Sequence, residues 1–80
     1  MNMDWKERIV SDKNILLGKP VIKGTRLSVE HILDRLANGW SEEMILESYP
    51  FISRDDILAV FAYLNDLVKD GLIYEVRAKV

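Results

Sequence analysis

The stretch Ser28-Val29-Glu30-His31-Ile32-Leu33-Asp34-Arg35-Leu36-Ala37-Asn38-Gly39-Trp40-Ser41 holds a helix start, a helix stop and a second start in close succession. Ser28 is a good N-cap, because its hydroxyl accepts one of the backbone N–H groups that a helix start leaves unpaired. Val29, Ile32, Leu33, Leu36, Ala37 and Trp40 then recur at the spacing of a single helix face. Asn38-Gly39 offers the left-handed residue that ends such a helix, and Trp40 is the apolar residue that commonly closes the motif. Ser41 caps again at once. Glu42 and Glu43 follow it, where carboxylates meet the positive end of a helix dipole. The chain is therefore read as helical segments joined by sharp turns.

Towards the C-terminus, Met44, Ile45 and Tyr49 give the second helix an apolar face, and Pro50 forces it to end by about Ser48. Phe51-Ile52 forms an apolar elbow. Ser53-Arg54-Asp55-Asp56 is a capping-box variant with Asp at the third position, and it opens a third helix. Ile57, Val60, Phe61, Leu64, Leu67 and Val68 mark that helix's expected buried face, and Asp70-Gly71 its end. Trp40, Tyr49, Phe51 and Phe61 are assigned to the core. From Ile73 the period changes, with Tyr74, Val76, Ala78 and Val80 alternating with charged residues, which predicts a C-terminal strand in need of a pairing partner.

Towards the N-terminus, Arg8-Ile9-Val10-Ser11 and Ile15-Leu16-Leu17 read as short apolar pieces between turns, and Pro20 confines its own segment to an edge or a turn. The expected fold is mainly α: a three-helix, homeodomain-like helix-turn-helix core over residues 28–70. A basic strand-and-turn segment (1–27) precedes it, and a C-terminal β-strand (71–80) completes a single domain of residues 1–80.

An 80-residue chain without cysteine has neither disulfides nor thiolate metal sites to reinforce a small core, so association into a homo-dimer is expected. Its apolar runs are far too short to span a bilayer, and the charged N-terminus is unlike a secretory leader, which predicts a cytoplasmic protein with no membrane partner. The net charge of −2 hides an asymmetry. Met1 to Arg26 carries six basic against three acidic residues, whereas Leu27 to Asp70 carries three basic against nine acidic. His31 is the only histidine, so no metal site is expected. The residue pattern offers no paired nucleophile and base, which points away from an enzyme, and no cofactor is expected.

Two kinds of binding surface stand out. Lys19, Lys23 and Arg26 form a basic turn suited to phosphate, and Arg54, with Asn65, lies on the helix that topology would place in a DNA groove. Asp55 and Asp56 oppose that role, since carboxylates at the leading end of the helix repel the backbone phosphates. Trp5, Tyr63 and Tyr74 lie off the main apolar stripes and are candidates for a protein interface, with Tyr74, Val76, Ala78 and Val80 as a strand that could add to a partner's sheet.

Ile9-Val10-Ser11-Asp12, Gly18-Lys19-Pro20-Val21-Ile22-Lys23-Gly24-Thr25-Arg26-Leu27, Leu36-Ala37-Asn38-Gly39-Trp40-Ser41 and Tyr49-Pro50 together resemble the domain-of-unknown-function 433 family from about Trp5 to Asp70. The resemblance implies a helix-turn-helix fold. For many members it also implies an antitoxin that neutralises a PIN-like ribonuclease toxin and represses their shared operon, with operator DNA as a second partner. The sequence departs from the family pattern at Lys13, where proline is common, at Leu17, where a second glycine is common, and in the tail after Gly71. The alternative function is a structural dimer or protein adaptor with no DNA binding.

Overall fold

In a computed structural model, residues 4–71 are described. A 3-10 turn at Trp5–Glu7 leads into strand β1 (Ile9–Val10). A second tight turn at Leu16–Gly18 precedes strand β2 (Val21–Ile22), and helices α1 (Val29–Ala37), α2 (Glu42–Ser48) and α3 (Arg54–Lys69) follow. The two strands pair antiparallel, Ile9 with Ile22 and Val10 with Val21. The fold is thus mainly α, with three helices and a minimal sheet. The expected C-terminal strand, with Tyr74, Val76, Ala78 and Val80, lies outside the described residues.

Each helix begins at the residue whose chemistry predicts it. The Ser28 hydroxyl accepts from the His31 N–H at 3.0 Å, and that of Ser41 accepts from Met44 at 3.1 Å. At α3 the box is reciprocal: Asp56 N–H donates to Ser53 Oγ, and Ser53 N–H donates to the Asp56 carboxylate at 2.9 Å. The end of α1 is a Schellman motif. Trp40 N–H reaches back to the Arg35 carbonyl and Gly39 N–H to that of Leu36, both at 3.0 Å, which places Gly39 at a φ of +90°. This motif lets the chain reverse and start α2 at once.

The core joins the small sheet to all three helices through Ile9, Ile22, Leu27, Val29, Ile32, Ile45, Ile52, Ile57, Ala59 and Val60. Trp40 and Tyr49 pack against it, as expected. Phe51 and Phe61 do not: they are 61% and 47% exposed, and Val68 is 55% exposed. Met44 and Ala37, also placed on inward faces, are exposed as well. The reason at α3 is geometric. Apolar residues occupy two adjacent stripes of that helix, and the one that faces inward is the Ile57–Val60 side, where the small Ala59 is also buried. Ile15-Leu16-Leu17 is likewise no strand, because Leu16 and Leu17 take φ values of +48° and +57° and curl the chain into a left-handed turn.

Candidate functional site

The string Gly18 to Leu27 is largely consumed in building the fold. Val21 and Ile22 are 0% and 2% exposed, and Leu27 is also buried. Around the loop between Ile22 and Leu27, the Thr25 hydroxyl donates to the Ile22 carbonyl at 2.7 Å and accepts from the Leu27 N–H at 3.0 Å. Gly24, at a φ of +79°, permits that closed loop. Ile22 N–H donates to the Leu27 carbonyl and Val29 N–H to that of Pro20, so the loop delivers Ser28 directly to its capping position.

Of the four residues predicted to contact DNA, two are already paired. Lys19 Nζ lies 2.7 Å from Glu30, and Arg54 Nε lies 3.1 Å from Glu42. The bond and charge of Lys19 lower the Glu30 pKa below the ordinary carboxylate value. Lys23 and Arg26 are exposed, and neither forms an ion pair among the described residues. The four do not converge on one surface through any contact the structure shows.

The N-terminal segment fastens itself to α3 through contacts that sequence reasoning missed. Arg8 reaches Asp56 at 3.1 Å and Asp55 at 3.6 Å. Trp5 Nε1 donates to Asp66 at 2.6 Å, and its ring meets Tyr63 edge-on with centroids 4.8 Å apart. Tyr63, a predicted interface residue, is therefore half-buried against Trp5 within the same chain. The basic N-terminus and acidic helical body seen in the sequence neutralise each other at Arg8 and Lys19. Only the opposite signs of the two segments hinted at this, since pairs so far apart in sequence leave no periodic trace.

His31 bonds the Tyr49 hydroxyl at 2.6 Å, tying α1 to the end of α2. The same phenol, beside Arg35, favours the charged guanidinium and raises its pKa further. Arg35 also lies over the Trp40 ring at 5.1 Å. Among the described residues no cluster of three or more His, Cys, Asp or Glu is placed to hold a metal, and no helix is long and apolar enough to cross a membrane.

What the fold leaves outside is apolar. Leu17 is 96% exposed, at the tip of the left-handed turn, and Leu16, Leu17, Lys19 and Ser28 line a shallow recess of about 290 Å³. On α3, Leu58, Phe61 and Val68 face outward. A family model described as a protein of unknown function, DUF433, matches residues 9–64. The chain belongs to the DUF433 family. The matched region contains the signature turn, α1, α2 and most of α3. Another similar chain is the uncharacterized protein y4eO of Sinorhizobium fredii (strain NBRC 101917 / NGR234), 34% identical over 64 residues. That similarity takes in 78% of this DUF433 chain but 29% of the relative, so this chain spans less than a third of the relative's length. No solved structure matches it.

Proposed function

We propose that this DUF433 chain is a cytoplasmic, antitoxin-like binding module, not an enzyme, that docks and neutralises a PIN-like ribonuclease. The observation that carries protein docking is Leu17. An L-residue in the left-handed region costs roughly 1–2 kcal/mol, and Leu17 sits there at a φ of +57° while 96% exposed. Among the described residues its side chain therefore finds almost no burial to offset that strain. The pattern that the sequence resembles commonly has glycine at this position, which would avoid the strain. Leu17 is best explained as an anchor for an apolar pocket on another molecule. The identity of the partner rests on the family resemblance, and Tyr63 with the alternating segment Tyr74, Val76, Ala78 and Val80 would extend the contact.

The test takes a PIN-like nuclease, first sought in the gene beside this one, in purified form; a neighbourhood without one weighs against the reading. Adding the chain suppresses RNA cleavage, and raising the salt to about 1 M leaves most of the suppression, because apolar docking is not screened as ion pairs are. Unchanged cleavage at stoichiometric excess would overturn the reading.

Operator binding is a second reading, favoured by the exposed charges of Lys23 and Arg26. If these two carry it, Lys23→Ala and Arg26→Ala each lower the salt dependence of binding to the gene's upstream DNA by about one counterion. Arg54→Ala changes it less, its charge being shared with Glu42.

A further inference from the structure

The outermost stripe of α3 runs Arg54, Leu58, Phe61, Asn65, Val68, at steps of four and three residues. Leu58, Phe61 and Val68 are 41%, 47% and 55% exposed, on the solvent side of the stripe that begins at the buried Ile57 and opposite the buried Ala59. Beside this stripe runs a second line, Asp55, Ala62, Lys69, spaced by seven residues and therefore along one flank. The Asp55 carboxylate is 59% exposed, its contact to Arg8 is long at 3.6 Å, and Lys69 is exposed and in no ion pair among the described residues.

We infer that this face pairs with a second copy of itself, α3 against α3, antiparallel and related by a two-fold axis level with Phe61 and Ala62. The charge order selects both partner and direction. A two-fold axis perpendicular to the helices brings the same flank of each together, so Asp55 meets the partner's Lys69 and Lys69 meets the partner's Asp55. Ala62, the midpoint of that line, lies on the axis, where a small side chain lets the backbones approach. Phe61, the midpoint of the apolar stripe, meets the partner's Phe61. In a parallel two-fold pair the two Asp55–Lys69 flanks would lie on opposite sides of the seam, and neither charge would meet its complement in the partner. α3 is 16 residues, about 24 Å, long enough to carry this whole pattern. The pairing stands apart from the toxin contact proposed at Leu17, which lies on a different element, and from Tyr63, which meets the Trp5 ring on the other side of α3.

Because the native chain has no cysteine, the axis can be located directly. Under mild oxidation Ala62→Cys forms a covalent dimer in high yield, whereas Lys69→Cys, whose two copies lie at opposite ends of the interface, does not. By sedimentation equilibrium Phe61→Asp is monomeric where the native chain is dimeric. Asp55→Lys and Lys69→Asp each weaken the dimer about tenfold, and the double swap restores it. A native chain that is monomeric throughout, or a dimer indifferent to Phe61→Asp and to the swaps, would overturn the inference. So would a Phe61→Asp variant that loses stability at unchanged monomeric mass, which would show the stripe covered by residues 72–80 of its own chain.

Discussion

The signature turn and α3 carry opposite messages in sequence and exchange them in the structure. The turn reads as a basic surface, yet most of it is internal: Val21, Ile22 and Leu27 are buried, Thr25 closes its loop and Lys19 clamps Glu30. Helix α3 reads as an acidic, inward-packing element, yet Asp55, Asp56 and Asp66 hold the N-terminal segment, and its outer face is apolar. The difference teaches that charge in a small fold is first used to fasten one segment to another. In the proposed reading, what remains outside marks the binding surface better than net charge does. On that measure both regions present leucine or phenylalanine to their surroundings, with Lys23 and Arg26 as the exposed cations of the turn.

The sharpest way to break the comparison is to truncate the two faces of α3 separately. Ile57, 1% exposed, loses its whole packing environment on Ile57→Ala, which should lower unfolding free energy by about 2–5 kcal/mol in urea melts. Phe61→Ala in dilute, monomeric protein should cost less than about 1 kcal/mol. Comparable losses would mean that Phe61 belongs to the core after all. A smaller effect is expected at the cap: Ser53→Ala removes one half of the reciprocal box and should cost about 1 kcal/mol, again by urea denaturation.

Most of the helical framework was legible in the sequence because its signals are local. Ser28, Ser41, Ser53 and Gly39 each act within a few residues, and all four do what their chemistry predicts. The faces were harder to read. On α3 the apolar residues Ile57, Val60, Leu64 and Leu67 adjoin Leu58, Phe61 and Val68, and periodicity alone does not say which stripe meets the sheet. The candidate site was less legible still. The pairings of Lys19 with Glu30, Arg8 with Asp56 and Trp5 with Asp66 join residues distant in sequence, and the left-handed backbone at Leu17 is visible only in three dimensions.

The smallest expected effect tests the clamp between the turn and α1. Glu30 has a lowered pKa in the folded chain because of Lys19, so the pair stabilises the fold above the ordinary carboxylate range and loses that contribution as pH falls through the lowered value. Glu30→Gln should flatten this part of the acid limb of a stability–pH curve while leaving the neutral helical spectrum unchanged. The pair is solvent-exposed, so the change should be slight.

Leu17→Gly gives the most direct test of the account, with stability and partner affinity measured on the same preparation. Glycine relieves the left-handed strain but adds freedom to the unfolded chain, so the net gain in unfolding free energy should be a few tenths to about 1 kcal/mol. The affinity for the proposed PIN-like nuclease partner should fall by about tenfold or more. A variant that binds as tightly as the native chain, whatever its stability, would contradict the assignment of this turn as the docking site.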